Sequence, residues 1–316
     1  VQPTVEIGGE TYDVQLEIVD NRTSAENGPS AAAELINRGV SVVMGSYGSG
    51  VSMAGGAVFS EAGMPAIGTS CTNPNVTADC DVYFRLAFLD PFQGTVLANY
   101  AYNELGVTNA YVLGMLGSDY DQGLVYYFTQ AFEELGGTVV AAETFVSGQT
   151  KDFTPLLSKI KAAGADAIYI EPGYSDAAMI VTQMAQLDCN FKIYGNTMLY
   201  KTEFLDAAGG NAEGMLLGSY INPNNTEENF VFIKEAYEAA TGNLTDMYVL
   251  NSYDAIALLC DAAAAVGPDR AAMADWIANV KDWQGASGVI NFDENRNPTK
   301  DMFWYVIENN EFVLAD

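Results

Sequence analysis

Small polar residues suited to binding a small molecule gather at the ends of several apolar runs. The stretches are SYGSG (46–50), GTSCTNP (68–74), MLGSDY (115–120), EPGY (171–174) and GNTMLY (195–200). Their hydroxyls, and the backbone N–H groups of the helices that follow, can hold a carboxylate or an amide. Ser and Thr also cap helices without binding anything, so one such stretch alone would mean little. The recurrence of the pattern predicts a binding site for a small polar molecule.

The composition excludes several other kinds of chemistry. The chain has no His, which rules out His-based acid–base catalysis, His-containing triads and His metal ligands. Asp and Glu number 41 against 13 Lys and Arg, and the net charge of −28 repels phosphate backbones and anionic lipid. No nucleic-acid partner is therefore expected. A carboxylate-based hydrolase is an alternative, although no paired acids stand at the strand ends to support it.

The cysteines comprise one close pair and two single residues. Cys71 and Cys80 flank an Asn-Pro dipeptide that can turn the chain back. In an oxidising compartment we expect them to form a disulfide that fixes the loop carrying Thr72, with two separate thiols as the alternative. Cys189 and Cys260 are interpreted as buried thiols. Since no pair has C-x-x-C spacing, no zinc or other metal site is predicted.

Strand-like and helix-like segments alternate along the chain. Short apolar runs such as VSVVMG (40–45), NAYVLGM (109–115) and DAIYIEP (166–172) are separated by helical stretches, a pattern typical of parallel sheets covered on both faces. The predicted fold class is therefore α/β with doubly wound parallel sheets, which bind ligands outside the carboxyl ends of their strands. YDVQLEIVD (12–20) is predicted as a strand, and residues 285–316 as a hairpin with DENRNPTKD as its turn.

A chain of 316 residues is long enough for two hydrophobic cores. The segments RLAFLDPFQG (85–94) and GMLLGSYINPNNTEE (214–228) are predicted to cross between two lobes. We expect one lobe to comprise residues 1–88 and 222–284, and the other residues 89–221 and 285–316. The chain would then cross three times between the lobes, at a hinge.

The order of these elements resembles the type I periplasmic binding proteins, in particular the branched-chain amino-acid (Leu/Ile/Val) substrate-binding proteins of ABC transporters. The stretches that carry the resemblance are GSYGSGVSMAGGAVFSEAGMPAIGTSCTNPNVT (45–77), DYDQGLVYYFTQAFEELGGTVV (119–140), DFTPLLSKIKAAGADAIYI (152–170), AEGMLLGSY (212–220) and YDAIALLCDA (253–262). The resemblance covers nearly the whole chain, and it specifies the fold and general role more closely than the ligand.

The resemblance implies a protein that is not an enzyme and needs no cofactor. Such a protein holds a small amino acid, or a related carboxylate or amide, between two lobes and delivers it to an ABC permease in the membrane. It is expected to be a monomer outside the cytoplasm, in the periplasm or at the cell surface as a lipoprotein. A ligand-sensing receptor domain of the same fold is the alternative.

The resemblance also implies individual ligand contacts. Ser49 and Thr72 match hydroxyls that bind α-carboxylate and α-amino groups, and Ser70 matches a position that acts through its backbone. Tyr120 matches an aromatic residue of the second lobe that covers the ligand. Further pocket aromatics are matched, more loosely, by Tyr174 and Tyr248. The alternative roles are helix capping for Ser49 and Thr72 and core packing for the tyrosines.

Two departures from the family pattern bear on these expectations. The family begins with a strand and a helix that precede YDVQLEIVD, and the chain starts after both. An acid that binds the ligand's ammonium is expected where Thr197 stands. Glu171, at a neighbouring strand end, is the proposed substitute, with capping of the next helix as its alternative role. Without such an acid, an aromatic or short-chain acid or an amide is the expected ligand.

Overall fold

The computed structural model of the chain describes residues 4–78, 80–170, 172–189 and 191–315. Its residues group into two compact units. The first unit comprises Val1–Leu89, Asn225–Ala236 and Met247–Lys300, and the second comprises Asp90–Asn224, Tyr237–Asp246 and Asp301–Asp316.

The two units contain fourteen strands and eleven α-helices within the described residues. The strands are β1 Thr4–Ile7, β2 Glu10–Asp13, β3 Val43–Met44, β4 Ala66–Gly68, β5 Tyr83–Arg85, β6 Asn109–Met115, β7 Thr138–Phe145, β8 Ala167–Ile170, β9 Lys192–Gly195, β10 Leu216–Ser219, β11 Trp283–Gly285, β12 Gly288–Ile290, β13 Phe303–Glu308 and β14 Glu311–Leu314. The α-helices are α1 Gly28–Asn37, α2 Ser49–Glu61, α3 Asn75–Ala78, α4 Asp90–Asn99, α5 Asp119–Glu134, α6 Thr154–Ala163, α7 Tyr174–Gln186, α8 Thr202–Ala208, α9 Glu228–Thr241, α10 Met247–Val266 and α11 Arg270–Ala278.

The first unit is built on a parallel sheet with the strand order β3-β4-β5. Successive residues of its strands enter different cores, because side chains alternate between the two faces of a sheet. Ala66 and Tyr83 pack with α1 and α2, whereas Ile67 and Phe84 pack with α10 and α11.

Helix α10 is long and apolar enough to cross a membrane. The core helices of globular proteins can have the same length and hydropathy, and nine residues of α10 are buried in this unit.

The second unit is built on a sheet of seven strands with the order β14-β13-β10-β9-β8-β6-β7. The strands from β10 to β7 are parallel, and β13 and β14 are added antiparallel. Helices α4 and α5 cross closely at Gly94, where a Cβ atom would lie 2.7 Å from the Phe128 nitrogen. The predicted alternation of parallel strands and helices is confirmed.

Residues 12–20 depart from the predicted strand. Only the part up to Asp13 is a strand, paired antiparallel with β1 in a hairpin. Residues 14–20 belong to no strand, and the side chains of Leu16 and Ile18 are 71% and 74% exposed. An alternating pattern becomes a strand only where a neighbour supplies hydrogen bonds, and no described strand pairs with this segment.

The C-terminal region also differs from the prediction, because it forms two hairpins. Hairpin β11–β12 belongs to the first unit and hairpin β13–β14 to the second, so the chain leaves the first unit after residue 300. Asp254 of α10 accepts the N–H groups of Ala286 and Ser287, and the rings of Phe84 and Phe292 lie 5.4 Å apart. These contacts group residues 285–300 with the first unit rather than with the second lobe.

Residues 237–246 are a second difference from the proposed lobes, since they group with the second unit. The hydroxyl of Thr202 accepts the N–H of Leu244 at 2.8 Å, and Lys201 Nζ lies 3.8 Å from Asp246 Oδ2. Apart from this excursion, the chain passes between the units at residues 89–90, 224–225 and 300–301.

Candidate ligand-binding site

The predicted hydroxyls of the first unit lie at one edge of its sheet. Strands β3 and β4 are neighbouring and parallel, so the loops at their carboxyl ends leave the sheet at the same edge. Ser49 is the first residue of α2 and is buried. Its Oγ accepts the N–H groups of Thr72 at 3.3 Å and Asn73 at 3.2 Å, which joins the two loops.

Two hydroxyls at this edge have no hydrogen-bond partner among the described residues. They are Thr72 Oγ1 and Ser70 Oγ, and both atoms are buried. Buried polar atoms are almost always paired, because an unpaired one loses its hydration without compensation. With the amino terminus of α2 beside them, these hydroxyls can bind a small molecule that carries both acceptors and donors.

The loop that carries Thr72 is held by Arg85, a residue that the sequence analysis did not single out. Arg85 ends β5 and is fully buried. Its guanidinium donates to the carbonyl oxygens of Cys71 at 3.3 Å, Asn73 at 2.8 Å and Pro74 at 3.3 Å. It also donates to Thr77 Oγ1 at 3.1 Å. In the sequence, the indication of this buried role was a single Arg within the apolar run YFRLAF (83–88).

The start of the same loop is fixed from α10. The side chain of Asn251, which is buried, donates from Nδ2 to the carbonyl oxygen of Thr69 at 2.8 Å. Lys300 Nζ lies 3.4 Å from Asn251 Oδ1 and also donates to Ser287 Oγ, whose hydroxyl donates to Asp254. Burial lowers the pKa of Lys300 to about 8 and raises the pKa of Asp254.

The loop after β3 is held by the phenol of Tyr83. Its hydroxyl donates to the carbonyl oxygen of Gly45 at 2.6 Å and accepts the N–H of Ser46 at 3.1 Å. Burial raises the pKa of Tyr83, so the hydroxyl keeps its proton for this contact.

In the same loop the exposed ring of Tyr47 lies 5.7 Å from the ring of Tyr248. Tyr47 therefore joins Tyr248 as an aromatic residue of this part of the first unit.

The predicted disulfide between Cys71 and Cys80 is wrong, because the structure has both residues as thiols. Cys71 Sγ occupies the space beside Gly68, whereas Cys80 Sγ donates to the carbonyl oxygen of Gly56 at 3.3 Å. The ring of Tyr83 lies against both glycines, with Cε1 beside Gly68 and Cδ2 and Cε2 beside Gly56. The loop that carries Thr72 is fixed by Arg85 instead.

The predicted residues of the second unit also share one sheet edge. Strands β6, β8 and β9 are neighbouring and parallel, and Tyr120, Tyr174 and Thr197 follow their carboxyl ends. Thr197 is buried, whereas Tyr174 is exposed and has Lys201 Nζ 5.7 Å from its ring centroid. Glu171, the proposed partner for an ammonium group, lies outside the described residues.

Gln93 of α4, which was not predicted as a site residue, lies close to both Tyr120 and Thr197. Gln93 is buried, and its Nε2 donates to the Tyr120 hydroxyl at 3.4 Å. Gln93 and Thr197 line the same small cavity within this unit. From the sequence alone, a buried Gln near the start of a predicted helix cannot be distinguished from a solvent-exposed one.

Asp121, next to Tyr120, fixes the turn between β6 and α5. Its nitrogen donates to Ser118 Oγ, and its Oδ1 accepts the N–H of Met115, both at 3.2 Å. Burial raises the pKa of Asp121 from 3.8 to about 6, against these hydrogen bonds. The folded protein therefore binds this proton more tightly than the unfolded chain does.

We expect the Asp121→Asn variant to gain stability relative to the wild type as the pH rises from 4 to 7. The cost of burying the charged carboxylate is absent below about pH 4 and fully present above about pH 6, and it amounts to about 3 kcal/mol. Urea unfolding at several pH values measures the difference, with exposed Asp206→Asn as the control. A difference that stays constant across this range would contradict the shift.

Sequence comparison gives one family and several close relatives. The sequence model of a family described as periplasmic binding protein matches residues 5–311. The Leu/Ile/Val-binding protein homolog 1 of Brucella suis biovar 1 is 28% identical over 287 residues, which is 90% of this chain and 76% of the relative.

Structure comparison finds the same fold in solved proteins. The leucine binding protein LivK of Thermotoga maritima has a TM-score of 0.91 at 30% identity, over 100% of this chain and 89% of that one. The branched-chain amino acid transporter substrate binding protein LivJ of Streptococcus pneumoniae, solved with isoleucine, has a TM-score of 0.87 at 26% identity, over 98% and 89%.

Proposed function

Because the chain belongs to the periplasmic binding protein family, we propose that it captures a small amino acid, or a related carboxylate or amide, for an ABC importer. It acts as a monomer outside the cytoplasm and passes its ligand to the importer's permease. It binds its ligand without transforming it. The relatives named for Leu, Ile and Val, and the LivJ complex with isoleucine, support this ligand class.

The observation that carries the proposal is the pair of unpartnered hydroxyls at the edge of the first unit's sheet. Thr72 Oγ1 and Ser70 Oγ are buried without a partner among the described residues, beside Ser49 at the start of α2. A ligand carboxylate would accept from the Thr72 hydroxyl and from N–H groups at the start of α2.

The proposed ligand contacts come from both units. They are Ser49, Ser70, Thr72 and Tyr248 in the first unit and Tyr120, Glu171, Tyr174 and Thr197 in the second. Glu171 stays a proposal from the sequence, as the partner of a ligand ammonium.

A second ligand class has one specific observation in its favour. Thr197 offers a hydroxyl where the family pattern has an acid, and Thr197 is buried. A buried ammonium without an anionic partner costs several kcal/mol. If Glu171 does not supply that partner, deaminated or aromatic acids are the expected ligands.

We expect the Thr72→Val variant to keep the wild-type stability and to lose ligand affinity about 5- to 30-fold, equivalent to about 1–2 kcal/mol. Valine has the shape of threonine, and the hydroxyl that it lacks has no partner within the protein's described residues. A thermal-shift screen of Leu, Ile, Val, Phe and their deaminated acids selects the ligand, and calorimetry then measures the affinity.

Thr129→Val is the matched control, because Thr129 Oγ1 is likewise buried without a described partner but lies on α5. Its affinity should equal that of the wild type. If Thr72→Val binds as tightly as the wild type, this site is not the one that holds the ligand. If no compound stabilises the wild type, the proposed ligand class is wrong.

A further inference from the structure

The second unit contains a small cavity between α4 and its sheet. The cavity opens to solvent, has room for about one water-sized group, and is bounded by Gln93 and Leu97 of α4, Tyr169 of β8, Thr197, Met302 and Trp304. None of the described residues that line it carries a charged side chain. Its lining combines the apolar side chains of Leu97 and Met302 and the ring of Trp304 with amide and hydroxyl groups.

One residue of this lining carries an acceptor that the described residues leave unsatisfied. Gln93 is 3% exposed, and its Nε2 donates to the Tyr120 hydroxyl. Its Oε1 is buried and has no hydrogen-bond partner among the described residues. The close crossing of α4 and α5 at the neighbouring Gly94 holds the backbone of this turn in place.

We propose that Gln93 Oε1 accepts a hydrogen bond from an uncharged O–H or N–H group of the ligand, which makes Gln93 a specificity-determining residue. The inference rests on the proposed function, since it concerns the part of that ligand that enters this cavity. An apolar group there would leave the carbonyl unpaired, and an ammonium would find no anion among the described residues of the lining. Sites built to pair with a donor reject analogues that lack it.

Binding of isosteric ligand pairs to wild type and to Gln93→Met tests this specificity. In the first pair, 2-hydroxy-4-methylpentanoate carries a donor at the α-position that 4-methyl-2-oxopentanoate lacks. In the second pair, threonine carries a donor in the side chain that valine lacks. In at least one pair, the wild type should prefer the donor about tenfold, and Gln93→Met should reduce this preference to less than about twofold. Gln93→Glu, which keeps an acceptor oxygen, should retain it.

Two results would overturn the proposal. One is that the wild type binds the donor-carrying ligand more tightly in neither pair. The other is an equal loss of affinity for both members of a pair in Gln93→Met, which is expected if a bound water satisfies the carbonyl for every ligand. Gln130→Met, an exposed change on α5, is the control and should leave both affinities unchanged.

The melting temperature of the ligand-free protein gives a readout that does not need the ligand's identity. Gln93→Met should melt within about 3 °C of the wild type, because removing a buried acceptor that no described residue satisfies offsets the loss of the 3.4 Å contact with the Tyr120 hydroxyl. A fall of more than about 3 °C would make Gln93 a structural residue and overturn the proposal. If no tested compound binds the wild type, the proposed function fails for this ligand class, while this measurement still decides the role of Gln93.

Discussion

Replacing Arg85 with Met is expected to lower the free energy of unfolding by about 3–5 kcal/mol and to abolish ligand binding. The buried guanidinium donates to the carbonyl oxygens of Cys71, Asn73 and Pro74. Methionine fills a similar length but donates nothing, so these acceptors lose their partner in an environment that water does not reach. The loop that carries Thr72 then loses its fixed geometry.

Urea unfolding followed by tryptophan fluorescence measures the stability, and calorimetry with the selected ligand measures the binding. Arg22→Met is the matched control, because Arg22 is exposed, and it should change neither quantity. Normal affinity in Arg85→Met would show that the loop keeps its geometry without the guanidinium, and the contacts described for Arg85 would then have no role in binding.

The position of the binding edge could be predicted from the sequence, because it depends on local patterns. Each polar stretch follows a short apolar strand, and parallel neighbours bring their carboxyl ends to one edge. That rule places Ser49 near Thr72 in the first unit, where their loops are joined at 3.3 Å. It likewise places Tyr120, Tyr174 and Thr197 along one edge in the second unit.

The groups that fix these loops could not be predicted, because local patterns do not show which acceptors a buried side chain meets. Arg85 lies 11 to 14 positions from its carbonyl partners, and Asn251 reaches Thr69 across 182 positions of sequence. The boundary near residue 300 was missed for the same reason, since Asp254 holds residues 286 and 287 through long-range hydrogen bonds. Local hydrophobic periodicity contains no information about such partners.

The disulfide prediction failed for a different physical reason. Sequence spacing shows that two cysteines can approach each other, but it does not show what lies between them. In the structure Cys71 fills the space beside Gly68, Cys80 donates to the carbonyl oxygen of Gly56, and the ring of Tyr83 lies against both glycines. A tyrosine three positions after the second cysteine gave no warning of this.

Asp254→Ala is expected to destabilise the protein by about 3–5 kcal/mol, because it removes one member of a buried charged cluster. The carboxylate accepts from the backbone N–H groups of Ala286 and Ser287 and from the Ser287 hydroxyl. Lys300, whose amino group donates to that hydroxyl, then stays buried after losing the favourable charge of Asp254. Urea unfolding measures the loss, and exposed Asp206→Ala is the control.

Adding Lys300→Met to Asp254→Ala should recover part of this loss. The double change removes the buried cation together with its counter-charge, and a buried ion pair can be replaced by apolar groups at far lower cost than one of its members. Lys300→Met alone should cost less than Asp254→Ala alone, since Asp254 keeps its backbone donors. Strictly additive losses in the double variant would show that the two charges do not interact.

The same cluster has a pH dependence whose direction follows from Lys300. Because burial lowers the pKa of Lys300 to about 8 from 10.5, the cost of its charge is fully present below pH 8 and disappears as the pH rises toward 10.5. The loss of stability in Asp254→Ala should therefore be larger at pH 7 than at pH 10.

Lys300 also contacts Asn251, which holds Thr69 in the loop that carries Ser70 and Thr72. Ligand affinity in Asp254→Ala should consequently fall together with stability, and an affinity that stays at the wild-type value would separate this cluster from the binding edge.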